Sequence, residues 1–164
     1  AKRLLHVAPE RVLERAFRRL DHLRYVTADL RSPRAAVRMD LTRIPCADHS
    51  FDAVFCSHVL EHVDDDRRAM RELHRVLVPR GWAAIVVPIT APRTQEDPTI
   101  GDAATRLRVY GHPDHVRRYG PDCVERLGAA GFSVSTYAAA DVGDAEQVAR
   151  LGLRGDEVIY HCVR

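Results

Sequence analysis

The feature that most constrains the fold is a series of short apolar runs, several of which end in an acid or a small polar residue. These runs predict strands at residues 4–8, 24–30, 36–41, 51–57 and 82–89. Residues 82–89 are nearly continuously apolar, which is typical of a central parallel strand. Segments with helical spacing separate most of the runs. Because strands alternate with helices, the chain is predicted to form an α/β fold with a doubly wound, mostly parallel sheet covered on both faces.

The connecting segments carry the usual signals for helix starts and stops. Pro9 is predicted to start a helix with an apolar stripe, and Asp64 to cap a second helix that Pro79 and Gly81 stop. A third helix is expected at 121–131, a strand at 132–140, a short helix at 144–152 and a terminal strand at 157–164. The predicted stripe of the first helix is Val12, Leu13, Ala16, Phe17 and Leu20, and the inner face of the second is Met70, Leu73, Val76 and Leu77.

Residues 90–120 break this pattern with prolines, glycines and charges, and carry only a weak helical signal at 103–109. A connection of this length in a compact domain is usually functional. We therefore predict that the segment is a substrate lid or insertion within a single domain spanning residues 1–164.

Composition excludes several classes of protein. The chain has 164 residues, 46% hydrophobic and 29% charged, with a net charge of +2. All basic residues except Lys2 are arginines, no large unbalanced basic patch is evident, and nucleic acid is not an expected partner. The sequence shows no signal-peptide pattern and no apolar run of membrane length, so we expect no membrane partner and a cytoplasmic location. The four cysteines form no C-x-x-C pair and are predicted to be free thiols.

Acids at strand ends point to a nucleoside ligand, because ligands of such sheets lie beyond the carboxyl ends of the strands. Asp29 ends the second strand, where a carboxylate can accept hydrogen bonds from a ribose diol. Asp40 could accept a hydrogen bond from the amino group of adenine, with Leu41 against the ring. The alternative for each acid is a turn former or cap.

His58, Glu61 and His62 spell H-x-x-E-H, a pattern that binds zinc when both histidines share one helix face. His58 follows an aromatic and β-branched strand, which fits a strand end better than a helix. A zinc hydrolase using these three residues is the remote alternative, and no metal site is predicted.

Taken together, the motifs resemble those of the class I S-adenosylmethionine-dependent methyltransferases. The resembling segments are VTADL, MDLTRIPCADHSFDAVFCSHVLEHVDD, RELHRVLVPRGWAAIVVPI and RLGAAGF. The resemblance implies a seven-stranded Rossmann-like sheet with an antiparallel last strand and helices on both faces. It also implies S-adenosylmethionine as cofactor, S-adenosylhomocysteine as product and a small-molecule methyl acceptor.

The same resemblance implies which residues bind the cofactor. They are Asp29 and Leu30 at the ribose, Asp40 and Leu41 at adenine, Ser57, His58 and Val59 beside the methyl group, and the loop His6, Ala8, Pro9 and Glu10. That loop, HVAPE, departs from the glycine-rich loop of the family and resembles a subgroup with APE in its place. We expect Ala8 to permit close contact and Glu10 to meet the ammonium of the cofactor.

Candidate catalytic residues lie in the lid and after the fourth strand. His115 and then His62 are the predicted general bases, and His112 is a further candidate in the segment of His115. Asp114 is expected to orient His115, and Arg117 or Arg118 to hold an acidic group of the acceptor. The alternative, a methyltransferase-like protein that binds a nucleoside or a partner without catalysis, stays open, as does the oligomeric state.

Overall fold

Seven strands form one sheet in the computed structural model, which describes residues 1–138, 141, 143–144, 146 and 157–164. A separate two-stranded ribbon, β6 with β7, lies in the segment that follows the fifth strand. The strands are β1 (Lys2–Val7), β2 (Leu23–Asp29), β3 (Val37–Arg38), β4 (Phe51–Ser57), β5 (Leu77–Val86), β6 (Gln95–Glu96), β7 (Arg117–Arg118), β8 (Ser133–Ala138) and β9 (Val158–Val163).

The sheet has the predicted topology. Its strand order is β3-β2-β1-β4-β5-β9-β8, and the strands from β3 to β5 are parallel to one another. The last strand, β9, is antiparallel to both of its neighbours, β5 and β8. The predicted seven-stranded, mostly parallel sheet with an antiparallel last strand is confirmed.

One face of the sheet forms the core. Leu5, Val54 and Ala83 occupy adjacent register positions and are buried in one cluster with Met70 and Leu73. The last two belong to α2 (Asp66–Val76), which with α4 (Cys123–Ala129) covers this face. The inner face predicted for α2 is confirmed in full, because Met70, Leu73, Val76 and Leu77 are all buried.

The opposite face is covered more thinly by α1 (Arg11–Phe17), in which no residue is fully buried. The apolar stripe predicted for this helix is confirmed only at Leu13 and Phe17, which are half-buried, since Val12 is 78% exposed and Leu20 40%. Phe17 packs its ring near His6 and Phe55 of the sheet. A helix of seven residues offers too few turns to cover the strands beyond β4.

Three predicted boundaries are also corrected. The third strand has two residues, because Met39 and Leu41 turn inward and are buried in the core. Asp65, not Asp64, caps α2 by accepting the Arg68 N–H at 2.9 Å. Pro79 and Gly81 do not separate helix from strand but lie inside β5, where the register against β4 shifts. A proline is tolerated at such an irregularity.

Residues 90–120 form an ordered structure docked on the domain. They contain the β6–β7 ribbon and α3 (Ala103–Tyr110), the helix that the sequence indicated at 103–109. Asp102 caps α3 by accepting the Thr105 N–H at 2.8 Å. At the far end, a Cβ on Gly120 would lie 2.4 Å from the Arg93 Cα, so glycine is required where the two backbones cross.

The four cysteines are free thiols, as predicted. Among the described residues, no helix is long and apolar enough to cross a membrane. The short helix predicted at 144–152 lies almost entirely outside the described residues.

The core face yields a stability prediction. Leu73 is fully buried between α2 and the sheet, so Leu73→Ala removes packed methyl groups and leaves a cavity. We expect a loss of about 2–5 kcal/mol in the free energy of unfolding, measured by urea titration. Leu107→Ala is the matched control, because Leu107 is 54% exposed and its truncation should change stability by about 0.5 kcal/mol or less. Equal losses in the two variants would contradict this assignment of the core.

Candidate active site

The carboxyl ends of the parallel strands β1, β2 and β4 meet at one edge of the sheet. Ala8, Asp29 and Ser57 lie at these ends, and Asp40 follows the short β3 beside them. Such an edge is where α/β sheets of this kind bind ligands. The predicted cofactor residues are therefore brought together by the topology.

The loop after β1 follows a glycine-like path without a glycine. Ala8 has φ of 48°, in the left-handed region, and its N–H donates to the Ala28 carbonyl at 2.7 Å. A non-glycine residue adopts this conformation at a cost of about 1–2 kcal/mol. Alanine has the smallest side chain that could replace glycine here. The loop therefore turns sharply over the strand ends, as a glycine-rich loop would.

Side chains fix this loop from below. Glu10 accepts a hydrogen bond from His6 Nε2 at 2.7 Å, and Tyr25 donates its hydroxyl proton to His6 Nδ1 at 2.6 Å. Burial raises the pKa of Tyr25 to about 12, which keeps that donor protonated. Burial alone would raise the pKa of Glu10, but the His6 hydrogen bond and a weaker one from Ser57 hold it below its usual value. Glu10 is thus a carboxylate that His6 positions.

His6 itself is fully buried between Phe17 and Phe55, and both of its ring nitrogens are engaged. Its side chain supports the loop from beneath. Pro9 is half-buried and comes directly before Glu10, which caps α1 without a side-chain hydrogen bond.

Asp29 keeps one carboxylate oxygen available. Its Oδ1 accepts the N–H groups of Arg31 and Ser32, both at 2.7 Å. Within the described part of the chain, Oδ2 makes no hydrogen bond. The neighbouring Leu30 is 47% exposed, an apolar side chain beside this acid. The pair presents an acceptor and an apolar surface together.

The adenine pair is less evident in the structure. Asp40 Oδ1 accepts both the N–H and the hydroxyl of Thr42 at 2.8 Å, a turn like that at Asp29. Leu41 is 4% exposed and belongs to the core. Its side chain supports the site from inside.

The residues after β4 form a tight turn, so the helical premise of the H-x-x-E-H zinc alternative is wrong. His58 has φ of 52°, Leu60–His62 make a single 3₁₀ turn, and α2 begins later. Val59 is partly buried against the core at the start of that turn. That hydrolase motif requires both histidines on one helix face. His58 and His62 do not lie on a common helix and so do not meet this requirement.

Glu61 is a buried carboxylate in this turn, only 1% exposed. Its Oε1 lies 3.4 Å from His58 Nδ1, and its Oε2 has no hydrogen-bond partner among the described residues. The Glu61 carboxylate, and more weakly Glu157, raise the pKa of His58. A buried carboxylate with an unpaired oxygen is costly and favours a nearby positive charge.

The two predicted catalytic histidines lie together and are joined by His112, a further candidate from the same segment as His115. The ring centroids of His62 and His115 are 4.7 Å apart, and those of His112 and His115 are 4.6 Å apart. Burial, followed by the charge of His62, lowers the pKa of His115, against the opposing effect of Glu61. The spacing H-P-D-H was the available signal for His112, but nothing in the sequence placed it beside His62.

Arg117 holds this region together. Its guanidinium donates to the carbonyls of Leu60 (2.7 Å), Val63 and Asp64 (2.8 Å), and its Nε to Glu96 at 3.0 Å. The side chain is 2% exposed. The hypothesis that Arg117 holds an acidic acceptor is therefore wrong, because its donors already bind the protein. Arg118 is also engaged, with Thr90.

A second arginine completes a buried network around the same acids. Arg126 donates to Asp66 at 3.0 Å and to Glu96 at 2.8 Å. The hydroxyl of Tyr119 donates to Asp66 at 2.6 Å. The network joins β6, β7, α2 and α4, and so fixes residues 90–120 against the strand edge.

Part of the chain is similar in sequence to known methyltransferases. Residues 19–85 match the sequence model described as "Methyltransferase domain". The chain is 36% identical over 74 residues to the uncharacterized methyltransferase YcgJ of Bacillus subtilis. It is 42% identical over 52 residues to the 2-phytyl-1,4-naphtoquinone methyltransferase of Nostoc punctiforme. The matched segments cover 45% and 32% of this chain and span 28% and 23% of those relatives.

Solved structures share the fold over almost the whole chain. A Burkholderia thailandensis 1,6-didemethyltoxoflavin-N1-methyltransferase, with bound 1,6-didemethyltoxoflavin and S-adenosylhomocysteine, is similar with a TM-score of 0.68. The match covers 99% of this chain and 71% of that one at 16% identity. At that identity the likeness establishes the fold, and the family model adds the sequence evidence.

The buried network predicts a pH dependence of stability. Hydrogen bonds from Arg126, then Arg117, lower the pKa of Glu96 from 4.5 to about 2. A lowered folded-state pKa adds stability above the unfolded value, and this stability is lost as pH falls from about 4.5 toward 2. We expect Glu96→Gln to destabilise the protein at pH 6 in urea unfolding, with a deficit that shrinks toward pH 2. Glu125→Gln, an exposed change on α4, is the control. A deficit that stays constant with pH would contradict the prediction.

Proposed function

We propose that this chain is a class I S-adenosylmethionine-dependent methyltransferase that transfers a methyl group to a small-molecule acceptor, a proposal supported by the fold and by the sequence of residues 19–85. The observation that carries the proposal is the pairing of the Ala8 turn with the open oxygen of Asp29 on adjacent strands. The Ala8 turn allows the backbone to approach a ligand closely, and the Asp29 oxygen can accept hydrogen bonds from the ribose hydroxyls of that ligand. These residues fit the cofactor of the family.

Each side chain at the strand edge takes a part in this proposal. Asp29 accepts hydrogen bonds from the ribose diol, with Leu30 beside the sugar, and Asp40 meets the adenine amino group above Leu41. Ala8, Pro9 and Glu10 form the loop against the methionine portion, with His6 holding Glu10 in place. Ser57, His58 and Val59 line the methyl-bearing side.

Catalysis then depends on positioning. S-adenosylmethionine supplies a methyl group on a sulfonium, so the electrophile needs no activation by the protein. The chain's own residues must align the acceptor with that methyl group, exclude water and receive a proton where the acceptor carries one. His115 and then His62 are the groups that we assign to the acceptor.

The small-molecule acceptor is supported by the kind of relatives that the chain resembles. The Nostoc relative is named for a naphthoquinone acceptor, and the Burkholderia structure holds a small heterocyclic acceptor. In this chain the Arg117 network fixes residues 90–120 beside Glu61. We therefore assign acceptor specificity to the surface formed by this segment and the turn after β4.

Asp29 gives the first test. Asp29→Asn keeps an oxygen for the Arg31 and Ser32 N–H groups but removes the charge that accepts ribose hydroxyls. Hydrogen bonds to a charged group contribute about 1.5–3 kcal/mol, so we expect roughly 10- to 100-fold weaker binding. Calorimetric titration with S-adenosylmethionine and S-adenosylhomocysteine measures this, with Asp21→Asn, an exposed change, as control. Unchanged affinity in Asp29→Asn would contradict the ribose assignment.

The same titration helps to distinguish a methyltransferase from the main alternative, a methyltransferase-like protein that binds without catalysis. A folded wild-type protein that binds neither compound would overturn the cofactor proposal. Tight binding without transfer to any acceptor would favour a methyltransferase-like nucleoside-binding protein. The engagement of Glu10 by His6 and Ser57, which leaves less of that carboxylate for a ligand, is the observation on that side.

His115 gives the second test, once an acceptor is found by screening with methyl-labelled S-adenosylmethionine. His115→Gln removes the imidazole that is proposed to accept a proton from the methyl acceptor, and we expect kcat to fall by about 10²-fold or more. The affinity for S-adenosylhomocysteine should stay unchanged, because His115 lies outside the proposed cofactor loop. His22→Gln, on an exposed turn, is the control. A variant that retains full turnover would show that His115 has no such role.

A further inference from the structure

Three imidazoles, His62, His112 and His115, form the one group of three or more potential metal ligands found in the described part of the chain. One ligand atom from each ring lies within 4.8 Å of the other two. His62 and His112 are exposed and His115 is half-buried. We propose that this cluster binds a divalent transition-metal ion, with zinc the expected occupant.

The chemistry of the donors favours zinc over calcium or magnesium. Neutral imidazole nitrogens suit zinc, copper and nickel, whereas the harder alkaline-earth ions prefer oxygen. Three histidines with a fourth position open is the arrangement of a reactive zinc site, while closed structural sites use four protein ligands. The proposed site therefore leaves one position for water or for an acceptor group.

The geometry requires modest movement. Zinc–nitrogen bonds of about 2.0–2.1 Å at tetrahedral angles place ligand nitrogens about 3.3 Å apart. The three ligand atoms must therefore approach one another by roughly 1.5 Å at most. Rotation of the exposed His62 and His112 rings supplies such a movement without disturbing the core.

Backbone contacts prepare two of the rings differently. His62 Nδ1 lies 3.2 Å from the Asp114 carbonyl oxygen, and because a carbonyl only accepts, Nδ1 carries the proton. The lone pair of the neutral ring is then on Nε2, as is common for metal-bound histidines whose other nitrogen donates to a carbonyl. His112 Nδ1 instead accepts the Asp114 N–H at 3.1 Å. His112 must give up that bond to bind through Nδ1, so we expect it to be the weakest ligand.

A second observation at the site is the buried Glu61, one residue before His62. Its Oε2 has no hydrogen-bond partner among the described residues, and the carboxylate acts electrostatically on His115. A buried carboxylate oxygen without a hydrogen bond from the described residues, close enough to act on His115, favours a cation nearby.

The site also refines the acceptor chemistry, and this consequence rests on the proposed methyl transfer. Zinc at this site would lower the pKa of an acceptor thiol or hydroxyl at the open position, so that the acceptor would lose its proton to solvent. The acceptor lone pair would form the bond to the methyl carbon as the methyl–sulfur bond breaks, with S-adenosylhomocysteine as the leaving group. His115 would then be a metal ligand, and its role as a general base would apply to the metal-free site.

The test uses the intact chain with zinc alone and with cobalt as a spectroscopic probe. We expect calorimetry to show one zinc ion per chain, and cobalt to give the intense visible absorption of a tetrahedral site. His62→Ala and His115→Ala should weaken binding by about 100-fold, and His112→Ala by about tenfold. His22→Ala should leave it unchanged. His62→Gln and His115→Gln repeat the loss with amide side chains, with circular dichroism confirming that each variant is folded.

Two results would overturn the metal site: no binding by folded wild-type protein, or binding that His62→Ala and His115→Ala leave unchanged. Titration with S-adenosylhomocysteine separates this proposal from the previous one. Zinc binding without cofactor binding would retain the metal site and remove the methyltransferase assignment. Cofactor binding without zinc binding would do the reverse.

Discussion

The burial of Arg117 is the interaction on which the acceptor side of the molecule depends. Its guanidinium satisfies three carbonyls of the turn after β4 and pairs with Glu96, although it comes from a two-residue strand far along the chain. Removing one partner from a buried charged network costs several kcal/mol, because the remaining charge is left uncompensated. The turn that carries Glu61 and His62 and the segment that carries His112 and His115 are therefore fixed relative to each other. This contact therefore holds the three histidines near one another.

In the loop after β1, side-chain hydrogen bonds hold a sharp turn that glycine residues usually make possible. A glycine-rich loop gains its close approach from the absence of Cβ atoms. In this chain Ala8 accepts the left-handed conformation, and Glu10, His6 and Tyr25 form a hydrogen-bonded chain that holds the loop from the sheet face. The conformational cost at Ala8 is local, whereas the hydrogen bonds are buried and partly ionic, which makes them stronger than in water. A sequence motif can therefore be lost while the backbone path that it encodes is kept.

The sheet could be predicted because its physical signals are local. Apolar runs, helix starts and acids at strand ends each occupy a few adjacent residues, and they indicated the strands of the sheet and their mostly parallel pairing. The failures share the opposite property. The α1 stripe looked buried by its spacing, but Val12 found nothing to pack against. The β6–β7 ribbon has two residues per strand and no readable period. His112 lies beside His62 because the fold brings together two residues that are fifty positions apart in the sequence. No local pattern encodes such a contact.

The electrostatics of Glu61 connect the two sides of the site. A carboxylate that is 1% exposed and has an unpaired oxygen loses hydration that its contacts do not replace. On one side it raises the pKa of His58, whose Nδ1 lies 3.4 Å from the Glu61 Oε1. On the other side His115 has a lowered pKa, caused first by burial, so protonation of that ring is a poor way to supply the missing charge. A cation held by neutral histidines supplies it without protonating the ring. The same buried acid thus favours a protonated His58 on the strand side of the turn and would favour a metal ion among the three histidines on the other.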